Sequence, residues 1–133
     1  MIMVDTSVWI DYFKGLDTPE TNLLDLALGN NSVAIGDLIL LEILQGFRSN
    51  KEYKIAKDHL TALYQFNMLT TELAINAAEN FRALRKQRIT IRKSADVIIA
   101  TFCIENRLPL LFADRDFIPF TQHLKLQSVS TQT

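Results

Sequence analysis

The sequence predicts a single α/β domain over residues 1–133, with three α/β/α layers around a central, mainly parallel, five-stranded sheet. Short apolar runs alternate along the chain with longer segments of helical periodicity, and strands that are separated by helices pair in parallel. The chain of 133 residues also has the size of one domain, and its 48% of hydrophobic residues is enough for a buried core.

Composition also restricts the protein's location and chemistry. The apolar runs fall short of the roughly 18 residues that a membrane-spanning helix needs, and the segment before Asp5 lacks the basic start of a secretion signal. We therefore expect a cytoplasmic protein that does not enter a membrane. Cys103 is the single cysteine, which excludes a disulfide framework and a zinc site built on cysteines.

The first half of the chain begins with a short apolar run that ends at Asp5. Thr18 before Pro19 is typical of a helix N-cap followed by a first-turn proline. Asp37 follows Gly36 and is expected to cap the next helix. The predicted elements are a strand at 2–4, helices at 8–13 and 19–29, a strand at 32–35, and helices at 38–47 and 51–63.

The second half continues the alternation, with Thr71 and Ser94 as expected helix caps. Residues 108–113 are almost continuously apolar, which is typical of a strand buried on both faces. The predicted elements are a strand at 65–69, helices at 72–87 and 95–106, and strands at 108–113 and 124–129, before a loose tail at 130–133.

Four acids lie where this fold would bring them together. Asp5 and Asp114 follow predicted strands, Glu42 interrupts an apolar helix, and Asp96 opens another. Ligands bind such sheets at the carboxyl ends of the strands, and a buried carboxylate is costly without a cation. The pattern predicts one pocket that holds Mg²⁺ or Mn²⁺, with Asp116 as a further ligand, and therefore a metal-dependent enzyme such as a nuclease.

Each acid also has a purely structural explanation. Asp5 fits a turn, Glu42 fits a narrow polar stripe on its helix, and Asp96 fits a first-turn acid that is favoured by the helix dipole or by the bases just before it. Asp114 and Asp116 fit an ordinary loop. The functional interpretation depends on the coincidence of all these acids at one predicted edge.

Basic residues are concentrated in a single stretch that contains no acid. If five acids bind metal, ten of the fifteen acids remain against fourteen bases, so the rest of the surface is basic by four. This excess is compatible with binding a phosphate backbone. The candidate RNA-binding residues are Arg82, Arg85, Lys86, Arg88, Arg92 and Lys93.

Four segments resemble the PIN-domain ribonucleases, and specifically the VapC toxins of bacterial toxin–antitoxin pairs. They are MVDTSVWID at 3–11, LEILQG at 41–46, SADVIIA at 94–100 and LLFADRDF at 110–117. They stand in the family's order, and the resemblance covers almost the whole chain.

The resemblance implies a PIN-like fold and a Mg²⁺- or Mn²⁺-dependent endoribonuclease that cleaves structured RNA, often a transfer RNA. The four acids would be its catalytic residues and metal ligands, and Thr6 and Ser7 would orient those ligands from a second shell. The resemblance also implies a homodimer and a separate antitoxin that covers the site, commonly by placing an arginine among the acids.

One position departs from the family pattern. The family often carries Thr or Ser two residues before the last acid, where this chain has Phe112. A hydroxyl contact to an acid or a water is then missing, and Asp116 stands where an extra ligand would compensate for it.

Two other enzyme classes and one non-enzymatic function are the alternatives to a PIN-domain ribonuclease. A HAD-like phosphatase needs a second Asp two residues after Asp5, where Ser7 stands, and a receiver domain needs an Asp at the end of the third strand, where residues 69–71 offer none. The non-enzymatic alternative is a catalytically weak PIN domain that serves as an RNA- or protein-binding module. RNA binding that is unaffected by chelator, without cleavage, would support it.

Overall fold

The computed structural model describes residues 1–129. Its central sheet has four strands, in the order β3-β2-β1-β4, and every strand pairing is parallel. The strands are β1 (Ile2–Val4), β2 (Val33–Gly36), β3 (Tyr64–Phe66) and β4 (Leu110–Leu111). The prediction of an α/β fold with a parallel sheet is therefore confirmed.

Helices connect the strands, and each predicted helix is present within a few residues of its expected bounds. The predicted helices are α1 (Thr6–Phe13), α2 (Pro19–Gly29), α3 (Asp37–Gln45), α4 (Asn50–Thr61), α5 (Thr71–Lys86) and α6 (Ser94–Glu105). A 3-10 turn at Arg115–Phe117 and a further helix that was not predicted, α7 (Ile118–His123), follow β4. Within residues 1–129, no helix is both long and apolar enough to cross a membrane.

The prediction of a fifth strand is wrong. The segment 124–129 makes only one parallel bridge, between Leu110 and Ser128, supported by a 2.8 Å hydrogen bond from the Leu110 amide to the Gln127 carbonyl. Lys125 adopts a φ of +66°, which takes the backbone out of the extended conformation. The partner strand β4 has only two residues, so it offers little edge for pairing. The predicted tail at 130–133 lies outside the described residues.

Several helices begin one residue earlier than predicted. Thr18 caps α2 in a full capping box, as expected, but Gly36, Thr70 and Lys93 hold the N-cap positions of α3, α5 and α6. Asp37 is instead the first residue of α3. Its carboxylate accepts hydrogen bonds from the amides of Leu38 at 2.8 Å and Met68 at 3.1 Å, which ties α3 to the segment after β3.

Gly36 packs closely against Met68 where the chain leaves the sheet. A Cβ at this position would collide with the side chain of Met68, which is itself buried. A larger residue would therefore require the Met68 side chain to move. The contact lies directly before α3, the helix that carries Glu42.

Candidate active site

Asp5 follows β1 directly and forms the N-cap of α1. Its backbone amide donates a 2.9 Å hydrogen bond to the carbonyl of Leu111, which joins the ends of β1 and β4. Its side chain is only 4% exposed. One carboxylate oxygen accepts hydrogen bonds from Ser7, at 2.7 Å from the hydroxyl and at 3.3 Å from the amide. The fold therefore buries this acid and also holds it in one orientation.

Glu42 is half-buried on α3. The hydroxyl of Thr6 donates a 2.8 Å hydrogen bond to its Oε1 atom, across 36 positions of sequence. Thr6 and Ser7 are neighbours in the first turn of α1. Two adjacent hydroxyls thus orient two different acids, which joins the end of β1 to α3.

Asp96 lies in the first turn of α6 and is 5% exposed. Its Oδ2 atom is buried and has no hydrogen-bond partner among the described residues. The bases that precede it, Arg92 and Lys93, are exposed. A first-turn acid placed only for the helix dipole would keep both oxygens solvated or bonded, so the partnerless oxygen needs another explanation.

Asp114 and Asp116 complete the acidic edge, and both are half-buried. Asp114 caps the 3-10 turn, and its Oδ1 atom accepts a 2.9 Å hydrogen bond from the amide of Asp116. One carboxylate oxygen from each of Asp96, Asp114 and Asp116 lies within 4.8 Å of the other two. Three acids at this separation repel one another unless a cation lies between them.

The cluster is electrostatically costly when no cation is bound. The pKa of Asp96 is raised to about 7, by burial first and then by the charges of Asp5, Asp114 and Glu42, against a lowering by Lys93. Burial also raises the pKa of Asp5, against the hydrogen bonds from Ser7, and Asp114 adds to the increase. The electrostatic interactions that shift these two pKa values therefore involve all four acids that the sequence analysis identified.

The donor atoms fit a hard divalent cation. The available ligands are carboxylate oxygens, which Mg²⁺ and Mn²⁺ prefer, and Oδ2 of Asp96 is a buried acceptor without a partner. Cys103 is buried, and its burial, together with the charge of Asp5, raises the pKa of its thiol to about 12. Its thiol stays protonated near neutral pH and supplies neither a soft ligand nor a nucleophile.

Phe112 occupies the position that departs from the expected pattern. Its side chain is half-buried, and its ring centroid lies 5.4 Å from that of Phe117. An aromatic contact therefore replaces the expected hydroxyl beside the cluster. Asp116 lies with Asp96 and Asp114 in the group whose oxygens approach within 4.8 Å.

The candidate RNA-binding residues lie on the surface near α6. All six are exposed: Arg82, Arg85 and Lys86 on α5, Arg88 just after it, and Arg92 and Lys93 before α6. Among them, Lys93 is close enough to Asp96 for its charge to lower the pKa of that acid.

A groove beside Glu42 has no counterpart in the sequence pattern. It has a volume of about 530 Å³ and is lined by Glu42, by the half-buried rings of Phe13 and Phe47, and by the exposed cations Lys14 and Arg48. The two rings meet edge to face at 5.7 Å. The groove forms when α1, α3 and the loop to α4 pack together, so no local sequence pattern predicts it. The one sequence feature that it contains twice is a phenylalanine followed by a cation, at 13–14 and at 47–48.

Comparison with known proteins places these observations in a family. Residues 2–120 match the model of the PIN domain. Ribonuclease VapC11 of Mycobacterium tuberculosis is 26% identical over 132 residues, covering 98% of both chains. Ribonuclease VapC1 of Methanocaldococcus jannaschii is 29% identical over 109 residues, which cover 82% of this chain and 72% of its own.

Solved structures have the same fold. VapBC2 from Rickettsia felis, whose crystal structure contains a DNA fragment from its promoter, superposes with a TM-score of 0.76 at 21% identity, covering 97% of this chain and 98% of that one. DNA-bound VapBC from Salmonella typhimurium gives a TM-score of 0.74 at 17% identity, with 99% and 100% coverage. The resemblance carried by the four sequence segments is confirmed, and the phosphatase and receiver interpretations are wrong.

Proposed function

This chain belongs to the PIN domain family, and on that premise we propose that it is a metal-dependent endoribonuclease and the toxin of a toxin–antitoxin pair. The VapC ribonucleases that match it over almost its whole length support the activity. The toxin–antitoxin complexes among its structural neighbours support the biological role.

The observation that carries the metal dependence is the partnerless Oδ2 of Asp96. It is buried in a cluster in which Asp96, Asp114 and Asp116 bring oxygens within 4.8 Å of one another. A folded protein keeps an uncompensated buried carboxylate only at a cost. A bound Mg²⁺ or Mn²⁺ ion would remove that cost, and it would be held by Asp96, Asp114 and Asp116 together with Asp5 and Glu42, directly or through waters.

The proposed reaction is hydrolysis of a phosphodiester bond in RNA. A bound divalent ion would supply an activated water and compensation for the charge that develops on the phosphate. The residues of the chain supply orientation: Ser7 fixes the carboxylate of Asp5 and Thr6 fixes that of Glu42. The exposed bases between Arg82 and Lys93 would hold the RNA backbone beside the acids. We propose a structured RNA, such as a transfer RNA, as the substrate.

The partners follow from the same proposal. A cognate antitoxin would cover the acid cluster and place an arginine among the carboxylates, where it would act as a substitute cation. The groove beside Glu42, with its aromatic rings, is a suitable seat for the segment that carries this arginine. We also propose that the protein is a homodimer, which light scattering of the purified protein would test. We propose that it acts in the cytoplasm.

The test is cleavage of total cellular RNA by the purified, antitoxin-free protein. Reactions contain Mn²⁺, Mg²⁺ or EDTA, and the Asp5→Asn variant is run in parallel to exclude a contaminating nuclease. Discrete fragments that require metal and disappear in the variant support the proposal, and their ends identify the substrate. RNA binding that is indifferent to chelator, without cleavage, would instead favour a catalytically weak binding module.

A further inference from the structure

A second groove lies beside the first turn of α6, the turn that carries Asp96. It lies between α5 and α6, has a volume of about 490 Å³, and is lined on α6 by Ser94, Val97 and Ile98. We call it the α5/α6 groove. Asp96 lies on the same first turn of α6, so one helical turn contributes both to this groove and to the acid cluster.

The α5 side of the groove combines small residues with one aromatic ring. Ala77 and Ala78 leave space beside Phe81, whose ring is half-buried. The guanidinium carbon of Arg85 lies 5.6 Å from the centroid of that ring. The guanidinium therefore lies over the ring, and a guanidinium backed by an aromatic ring offers a flat cationic surface on which a nucleobase can stack.

The charge of the groove suits a polyanion. Two exposed arginines, Arg82 and Arg85, line it, and no acid does so within the described part of the chain. The positive charge continues at the exposed Lys93, the N-cap of α6. A phosphate backbone laid along these side chains would follow the start of α6, the helix whose first turn carries Asp96.

We propose that the α5/α6 groove binds one unpaired nucleotide of the RNA substrate near the cleaved phosphate, with the guanidinium of Arg85, backed by the ring of Phe81, stacking on the base and Arg82 contacting the backbone. The proposal rests on the RNA-cleaving function proposed above and adds to it a preference for RNA with an unpaired segment. The nearby groove at Glu42 also carries an acid at its exposed edge, Glu52, and is less suited to a polyanion.

The experiment measures binding and cleavage separately. The binding probe is a fluorescein-labelled, single-stranded RNA of twelve nucleotides with mixed sequence, followed by anisotropy in Ca²⁺, an ion that also takes oxygen ligands. Cleavage of total RNA is followed in Mn²⁺. The variants are Phe81→Leu, which keeps an apolar side chain, and Arg85→Gln, which changes an exposed residue. Tyr64→Leu and Arg107→Gln are matched controls, since both residues are exposed and lie outside the groove.

The expected result is that Phe81→Leu and Arg85→Gln each weaken RNA binding by roughly tenfold, which is the scale of one stacked base, while both controls bind like the wild type. A third variant, Arg82→Gln, at the residue assigned to the backbone, should reduce the salt dependence by about one phosphate contact, and Phe81→Leu should leave it unchanged. Melting temperatures of all variants serve as the check on folding.

Other outcomes separate the two proposals. If the wild type binds and cleaves RNA and both groove variants do the same with equal affinity, the groove proposal is overturned and the nuclease proposal stands. A change in oligomeric mass or in antitoxin binding, with RNA binding intact, assigns the groove to a protein partner and also overturns it. If the wild type neither binds nor cleaves RNA, the proposed function itself fails.

Discussion

The two halves of the acid cluster are built differently. Asp5 and Glu42 each accept a hydrogen bond from a hydroxyl of α1, from Ser7 and Thr6 respectively. On the other half, Asp96 has a buried oxygen without a partner, and one carboxylate oxygen from each of Asp96, Asp114 and Asp116 lies within 4.8 Å of the other two. We call these the braced half and the open half.

The difference indicates what each half contributes to a metal site. The braced half is held in position before any ion arrives, so its ligands lose little conformational freedom when a metal binds. The open half has unfavourable electrostatics in the absence of a cation, because desolvation and like charges act together on Asp96. The free energy of metal binding should therefore come mainly from compensating the buried, mutually repelling carboxylates of the open half.

The largest expected effect is on cleavage when the open half loses a charge. Asp96→Asn should reduce the rate of RNA cleavage by roughly 100-fold or more, since even outer-shell changes at metal sites cost about 10–100-fold. The measurement is the initial rate in Mn²⁺. The control is Asp58→Asn, at an exposed acid on α4, which should cleave like the wild type. Full activity of Asp96→Asn would remove this residue from the site.

Metal binding should stabilise the folded protein. At a Mn²⁺ concentration of about 100 times the dissociation constant, linkage predicts about 2.7 kcal/mol, which corresponds to a rise of roughly 5–10 °C in melting temperature for a domain of this size. A thermal scan with Mn²⁺ and with EDTA measures this rise. The rise should largely disappear in Asp96→Asn, and an equal rise in both proteins would show that Mn²⁺ binds elsewhere.

The metal-free protein should lose stability as the pH increases. The pKa of Asp96 is raised to about 7 in the folded state, against about 3.9 in an unfolded chain. The folded state therefore binds the extra proton between these values, and stability falls as the pH rises from about 4 to about 7.

The comparison with Asp96→Asn isolates this contribution. In urea unfolding after removal of metal, the free energy of unfolding of the wild type should fall by roughly 2 kcal/mol relative to that of Asp96→Asn over this pH window. This figure is smaller than the full pKa shift implies, because water and structural relaxation screen the charge. Parallel pH profiles of the two proteins would contradict the assignment of the titrating group.

The smallest effects should come from the braced half. Ser7→Ala removes a hydroxyl that donates to a buried carboxylate, and should cost about 1–2 kcal/mol of unfolding free energy. Thr6→Val should cost less, about 0.5–1 kcal/mol, because Glu42 is only half-buried. Both variants should keep measurable cleavage, reduced by about 10–100-fold. Loss of activity as complete as in Asp96→Asn would mean that these hydroxyls do more than orient ligands.

Local sequence signals predicted much of the fold and the positions of the acids. Asp5 comes directly after an apolar strand, Glu42 interrupts an apolar helix and Asp96 opens another, and Thr18 before Pro19 is the N-cap of α2. Each of these signals depends on a few neighbouring residues, so a single sequence contains them.

Features that depend on tertiary packing could not be predicted in the same way. The positive φ of Lys125 interrupts the extended backbone near the start of the expected fifth strand, yet lysine has no intrinsic preference for that conformation. The pairing of Thr6 with Glu42 spans 36 positions. The α5/α6 groove arises from the way two helices pack together, and no periodicity within either helix describes it.

Isothermal titration of Mn²⁺ into the metal-free protein tests the central claim most directly, because it measures the site without depending on a substrate. The account predicts saturable binding to the wild type and to Asp58→Asn, and binding at least roughly tenfold weaker to Asp96→Asn. Equal Mn²⁺ affinity in the wild type and in Asp96→Asn would contradict the claim that the acid cluster is a metal site.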